Sequence, residues 1–349
     1  MTQINQAAWL VEAGKPLEVR EAPMPTPGSG EIVVKNAAIA INPLDTHMQD
    51  SGVFVKEWPA ILGCDVAGEV HDVGADVTRL KKGDRVIGHA INLVTSQPRD
   101  GAYALYTVIR ADKAAILPDS IPFTHGVVVP FALEAAVCVL SVKEPGTALP
   151  GVSTPALGLP YPSLEDPAES PRKTLIVYGA SSSVGSMTTQ LATAAGIHVI
   201  AIAGAHSVAL CQRCGASEVL DHKDPDLVHK AVTAVKDSTF EFIGIFDAIS
   251  TPETYTRDLE ILAQVGGGQL AAVHPPPADV PGNVKAGMIF AVDDVAGPVW
   301  REYVTSALEM GRLKALPEPV IVGKGLEGVQ LALEKYRVGV SATKLVVEL

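Results

Sequence analysis

The sequence predicts an α/β protein of two domains, a mostly β, partly closed barrel followed by a doubly wound parallel sheet. Three observations carry that expectation. The chain has 349 residues, too many for one core of about 150 residues. Its first 125 residues hold short β-branched runs punctuated by glycine and proline, without a long helical signal. From residue 174 onward apolar strand runs alternate with helix-forming runs, the pattern of right-handed crossovers on a parallel sheet.

In the first domain, residues 31–41 (EIVVKNAAIAI) and 84–88 (DRVIG) read as strands. Residues 63–74 (GCDVAGEVHDVG) break short apolar pairs with glycines, as a bent sheet requires. Residues 127–143 are almost wholly apolar and long enough for a buried helix. Residues 144–172, rich in Pro, Gly and Ser, lack periodicity and read as an inserted surface loop. Strands then follow at 174–178, 197–203, 218–220, 243–247 and 269–273, with helices at 187–195, 207–214 and 227–235. A helix at 328–336 and a last strand at 344–349 are expected to return to the first domain. The boundaries are therefore 1–126 completed by 315–349 for the barrel, and 127–314 for the sheet domain with its inserted loop.

Charge and cysteine content narrow the function classes. With 27 basic against 39 acidic residues the net charge is −12, and no basic stripe suits a nucleic-acid partner. No apolar run reaches the roughly 18 to 20 residues that cross a bilayer, so no membrane partner is expected. Residues 1–9 lack the basic-then-apolar pattern of a secretory signal, and the expectation is a cytoplasmic protein. Four cysteines in so long a chain make no disulfide framework. Cys211 and Cys214 form a C-x-x-C, but a closed zinc site needs about four ligands and no second ligand pair exists. Their segment, ending at Gly215, reads as ordinary helix packing.

The most informative motif follows the strand 174–178. Gly179, Ala180, Ser181, Ser182, Ser183, Val184 and Gly185 lead directly into a helix. Small side chains let backbone N–H groups approach a pyrophosphate, and the helix dipole favours the anion. The loop is one residue longer than G-x-G-x-x-G and has Ser at its middle, but strand, loop, helix and next strand fall in register. An NAD site usually carries an acid about 20 residues further on; here residues 203–207 read AGAHS. A carboxylate would repel a 2′-phosphate, so NADPH is the expected cofactor, with His206, Ser207 and His222 as candidate phosphate donors. No Arg or Lys adjoins His206 or Ser207 in the sequence.

The chain resembles the medium-chain dehydrogenase/reductase superfamily over almost its full length. The resemblance rests on Asn42-Pro-Leu-Asp45, Gly63-Cys-Asp-Val-Ala-Gly68, Lys82-Gly-Asp-Arg-Val86, Gly101-Ala-Tyr103, the serine-rich loop and Gly215-Ala-Ser-Glu-Val-Leu-Asp221. Within it the chain looks most like the quinone oxidoreductases and fungal trans-acting enoyl reductases, through Ile249-Ser-Thr-Pro-Glu253, the 157–162 segment and the C-terminal Lys344-Leu-Val-Val347. That resemblance implies a GroES-like catalytic domain, a Rossmann domain, and NADPH-dependent reduction of an activated C=C bond in an enoyl thioester, enone or quinone. A small-molecule or carrier-protein-bound enoyl substrate, and a polyketide synthase as partner, are implied with it. Zinc-dependent relatives carry a Cys where this chain has Asn42 and a His-Glu pair where it has Cys64-Asp65, so no metal is expected.

The same resemblance marks Asn42 as the group that positions nicotinamide or a substrate carbonyl. It marks His47 as a proton donor or relay, and Asp45 as a cap on the turn or an acid. Ile249, Ser250, Val273 and His274 fall on loops expected along the nicotinamide. Lys344 is either near the pyrophosphate or an exposed strand residue. Zinc-independent alcohol or aldehyde chemistry, and a non-enzymatic NADPH-binding protein, remain as alternatives. Relatives pair through an edge strand near residues 287–292; Asp293, Asp294 and Pro298 discourage that, which favours a monomer over a homodimer.

Overall fold

In the computed structural model, which describes residues 4–165 and 171–349, the strand Glu31–Ala40 is the spine of the first unit. Ile32, Val33, Val34, Ala38, Ile39 and Ala40 are all fully buried, and the strand pairs antiparallel with Asp65–Val73, Tyr106–Arg110 and Lys344–Glu348. Two register shifts opposite Asp65–Val73 act as bulges that bend the sheet. Gly68 is required there, because a Cβ would lie 2.0 Å from the Lys35 carbonyl oxygen. The final strand returns to this unit and also runs parallel to Pro319–Lys324.

The nine-residue helix Pro43–Ser51, which lies within the stretch that lacks a long helical signal, begins with proline in its first turn. It ends at Gly52 in the left-handed conformation.

The second unit is built on six parallel strands. Their order is Glu218–Asp221, His198–Ala203, Lys173–Tyr178, Glu241–Asp247, Gly268–Ala272, Val284–Met288. In chain order that is 3-2-1-4-5-6, with a switch point beside Lys173–Tyr178, where ligands bind at the carboxyl ends of such sheets. The Leu175, Ile176 and Val177 run is fully buried, as a central parallel strand demands.

Four expectations are corrected. The units divide as Met1–Phe131, Trp300–Gly311 and Glu318–Leu349 against Ala132–Val299 and Arg312–Pro317, so residues 300–311 join the first unit rather than the sheet domain. The 144–172 segment is not a plain loop. It contains a hairpin of Gly146–Leu149 with Val152–Thr154, although its residues 166–170, like residues 1–3, lie outside the described residues. The hairpin lies against the edge strand Val284–Met288: a Cβ on Gly287 would stand 2.6 Å from the Ser153 carbonyl oxygen, and Gln269 Nε2 donates to the Ala156 carbonyl at 3.0 Å.

The helical stretch Phe123–Ser141 is long and apolar enough to cross a membrane by length and composition, against the expectation that no run is. However, 78% of its apolar window is buried inside the protein, the mark of a core helix. Lys344 is not an exposed strand residue; it is 3% exposed.

Candidate active site

The sheet register of the first unit assembles a buried polar cluster. Asp65 sits opposite both Ala40 and His89, two residues of chain from Asn42 across the sheet. Its Oδ1 accepts the Phe131 backbone N–H at 2.6 Å, and its Oδ2 accepts Asn42 Nδ2 at 2.8 Å. The Lys344 ammonium lies 3.1 Å from the same carboxylate and also donates to Asn42 Oδ1. Asp65 and Lys344 are 0% and 3% exposed by side chain, so this is a buried ion pair completed by an amide. Both ends of Asn42 are engaged, and its amide orientation is fixed by a cation on one side and an anion on the other.

Asp45 accepts the Asn42 backbone N–H at 2.7 Å and so caps the helix that carries it. Burial raises its carboxyl to about 7, with the Asn42 bond and Tyr103 opposing, and with Asp65 and Lys344 acting more weakly. The Tyr103 hydroxyl lies beside it, yet neither that hydroxyl nor Asp45 Oδ1 closes a full hydrogen bond. Two side chains on this helix diverge: Asp45 faces inward, whereas His47 is exposed.

The cluster does not suit a zinc ion. Among the described residues no group of three or more His, Cys, Asp or Glu is placed to hold a metal. Burial pushes the Cys64 thiol well up, and Asp45 and Asp65 push it further, whereas a metal ligand must be a thiolate. Burial lowers His89 to about 4, so it is neutral, and Asp65 is already bound by Lys344. Cys211 and Cys214 are buried as well, their thiols raised to about 11 and about 12 chiefly by burial, which leaves them inert rather than redox-active.

In the second unit the serine-rich loop has the shape a pyrophosphate needs. Gly179 takes the left-handed conformation, and a Cβ there would meet Ile249 at 2.5 Å. A Cβ on Gly185 would lie 2.2 Å from the Gly179 carbonyl oxygen, so only glycine lets the helix start this close to the strand. Ser182 caps the Ser183–Ala194 helix by accepting the Gly185 N–H at 3.0 Å. The Ser183 hydroxyl is buried without a partner among the described residues. Ala180 is buried, and Ser181 and Val184 are half-buried beside it. A bare backbone at a helix N-terminus with an unpartnered hydroxyl fits a phosphorylated nucleotide.

The other expected residues gather along the same carboxyl edge of the sheet. His206 and His222 flank Gly204, whose Cβ would meet their rings at 2.7 and 3.4 Å. Ser207 is buried, and its hydroxyl lacks a partner among the described residues. Lys223 adjoins His222 in the sequence, and the fold adds a second basic group: Arg257 donates to the His222 carbonyl at 2.6 Å and to the Tyr178 hydroxyl at 3.0 Å. An acid, Asp221, precedes His222, opposite Ala203 in the ladder and 3.8 Å from His222 Nδ1.

Asp247, unmarked by any motif, ends its strand and accepts the backbone N–H groups of Ile249 and Ser250 at 2.8 and 2.9 Å. Ser250, at φ +58, takes the Val273 N–H on its hydroxyl at 2.9 Å, and Tyr255 donates to the His274 carbonyl at 2.8 Å. Ile249, Ser250, Val273 and His274 are thereby tied into one rim. An acid closing an otherwise apolar strand was the available signal for Asp247.

Fold and sites together define a dehydrogenase-like scaffold of a bent-sheet unit and a six-stranded parallel-sheet unit, with a buried Asn42–Asp65–Lys344 cluster that does not suit a zinc ion. Residues 28–119 match the alcohol dehydrogenase GroES-like domain, and residues 183–290 match the zinc-binding dehydrogenase domain. The chain belongs to the medium-chain dehydrogenase/reductase superfamily, in the branch of the fungal trans-enoyl reductases, and is an oxidoreductase. It is 70% identical over 345 residues to dehydrogenase orsE of Emericella nidulans, covering 99% of each chain. It is 37% identical to trans-enoyl reductase himH of Aspergillus japonicus, covering 99% of this chain and 98% of that one. Its fold matches that of Escherichia coli quinone oxidoreductase complexed with NADPH, with a TM-score of 0.71 at 19% identity over 99% of this chain and 100% of that one.

Proposed function

We propose that this protein is an NADPH-dependent, zinc-independent reductase of activated C=C bonds, acting on enoyl thioesters, enones or quinones. The observation that carries the reading is the Asn42–Asp65–Lys344 network, in which Asn42 and Asp65 fall where the resemblance to zinc-dependent relatives puts a Cys and the Glu of a His-Glu pair. Without a Lewis acid, a carbonyl or alcohol oxygen is harder to activate, whereas conjugate reduction needs only a hydride, charge stabilisation and a proton. A bound reduced nicotinamide would supply the hydride.

The chain's own residues supply the rest. Gly179 to Gly185 hold the pyrophosphate through backbone N–H groups and the Ser183 hydroxyl. His206, Ser207 and His222, with the Arg257 charge behind them, favour a 2′-phosphate; Asp221 opposes it, and the preference for NADPH over NADH is set by their balance. Ile249, Ser250, Val273 and His274 form the nicotinamide rim. Asn42, locked by Lys344 and Asp65, is a rigid polar group that orients without titrating. Asp45 holds a proton near neutral pH, and His47, on the exposed side of the same helix, is the proton donor or relay of this reading.

The test is a turnover screen with NADPH and NADH against enones, enoyl thioesters and quinones on one side, aldehydes and alcohols on the other. Double-bond reduction, faster with NADPH and unaffected by chelator, is expected. Alcohol oxidation that requires zinc would refute the reading, and nucleotide binding without turnover would favour a non-enzymatic role. The likeness to a protein named trans-enoyl reductase supports an enoyl chain on the carrier protein of a polyketide synthase as the substrate. The hairpin lying against the edge strand supports a monomer. Sedimentation should give the mass of one chain, and a stable dimer would contradict that reading.

A further inference from the structure

The second unit holds a buried acid for which neither nucleotide binding nor double-bond reduction has a use. Asp258 lies on the helix Pro252–Val265, within the inward stripe of Thr254, Tyr255, Asp258, Ile261 and Leu262. It is fully buried, and neither of its carboxyl oxygens has a hydrogen-bond partner among the described residues. One turn earlier on the same buried face, Thr254 donates to Asp247 Oδ2 at 2.5 Å, so Asp258 follows beside that carboxylate, whose charge acts on it. Two ionised carboxylates offer only acceptors and so cannot bond to each other. Buried together, they would also repel. One proton removes both difficulties.

We infer that Asp258 is a positioning residue that stays protonated and donates its hydroxyl to Asp247, locking the turn at residues 248–251. Asp247 then receives four donors, the Ile249 and Ser250 N–H groups and the Thr254 and Asp258 hydroxyls, which matches the lone-pair sites of a carboxylate. The lock matters because Ser250 holds a left-handed backbone at φ +58, a conformation that persists only where its surroundings enforce it. Through the Ser250 hydroxyl it also reaches Val273.

Burial first, and then the Asp247 charge and its hydrogen bond, keep Asp258 well above the usual carboxylate range. The other groups at this spot are Tyr178 on the neighbouring strand and Tyr255 and Arg257 on the same helix. Both tyrosines respond to the Asp247 and Asp258 charges. The helix Leu227–Asp237 brings His229, Lys230, Lys236 and Asp237, and none of these is among the causes of the Asp258 shift.

The positioning role rests on the proposed nucleotide site, whereas the protonation does not, and the experiment separates them. Thermal unfolding of the nucleotide-free protein is followed from pH 5 to 9 for wild type, D258N and D258L, and each is titrated with NADPH by fluorescence. A group whose folded pKa lies above its unfolded value gives stability at acid pH that is lost as pH rises. Wild type should therefore lose Tm relative to D258N with rising pH, because the amide donates without titrating. D258N should hold NADPH within about twofold of wild type, and D258L should bind it roughly tenfold more weakly, the usual span of one lost hydrogen bond.

Parallel Tm profiles for wild type and D258N would overturn the protonation. Equal NADPH affinity in D258L and D258N would overturn the positioning role, and should D258L fail to fold, a D258N affinity well below wild type would do so. If wild type binds no nucleotide, the proposed function falls while the Tm comparison still decides the state of Asp258.

Discussion

Replacing Lys344 with methionine is expected to destabilise the protein by about 3–5 kcal/mol, the cost of leaving a buried carboxylate without its cation. Asp65 has no exposure to solvent and keeps only the Phe131 N–H and the Asn42 amide once the ammonium is gone. Asn42 loses its donor at the same time, so the effect extends to the amide expected to orient the reaction. Removing both charges should cost far less: the double variant K344M/D65L, which leaves no unpaired ion, should recover most of the loss. Urea denaturation of the two single variants and the double variant measures this directly. A loss below about 1 kcal/mol for K344M would mean that water reaches Asp65 and that the network is not a sealed core element.

Asp45→Asn is expected to make the protein more stable at alkaline pH and to leave it unchanged near pH 4. Burial lifts the Asp45 carboxyl from 3.8 to about 7, so its folded pKa exceeds its unfolded one. Stability present below about pH 4 is then lost as pH rises through about 7. Full ionisation in the fold would cost on the order of 4 kcal/mol at about 1.4 kcal/mol per pH unit, a net figure in which the Asn42 N–H and Lys344 already offset part of the burial cost. Asparagine retains an oxygen to accept the Asn42 N–H, so the helix cap survives. Denaturant unfolding at pH 5 and pH 8.5 should show the advantage of D45N growing between the two. An equal difference at both values would mean that Asp45 ionises as an exposed carboxylate does.

The second unit was legible because its signals are local. A strand such as Thr174 to Tyr178 is apolar on both faces, Gly179 answers to a left-handed turn and Gly185 to a backbone contact six residues back, and Ser182 caps the following helix through an N–H three residues on. The first unit was legible as bent sheet for the same reason, since Gly68 answers to a single neighbouring strand. The zinc donors missing at Asn42 and Cys64 were also legible, because a residue's identity does not depend on what folds against it.

Three features were not. The hairpin in the 144–172 segment carries no periodicity of its own and gains its place from the edge strand it lies on. Asp258 interrupts an apolar stripe with nothing nearby in sequence to explain it, since the Asp247 carboxylate lies at the end of the preceding strand, across a turn and the start of the helix. Lys344 read as a pyrophosphate contact or an exposed strand residue because sequence shows no partner within range.

Short-range chemistry thus made the α/β architecture legible from the sequence alone, together with the serine-rich turn that leads from strand to helix at residues 179–185. Only the tertiary structure decided that Lys344 closes on Asn42 across 302 residues of chain and that Arg257 donates to the His222 carbonyl. Those pairings arise from burial and sheet register, and a charge declares its partner only after folding has removed the water that would otherwise solvate it.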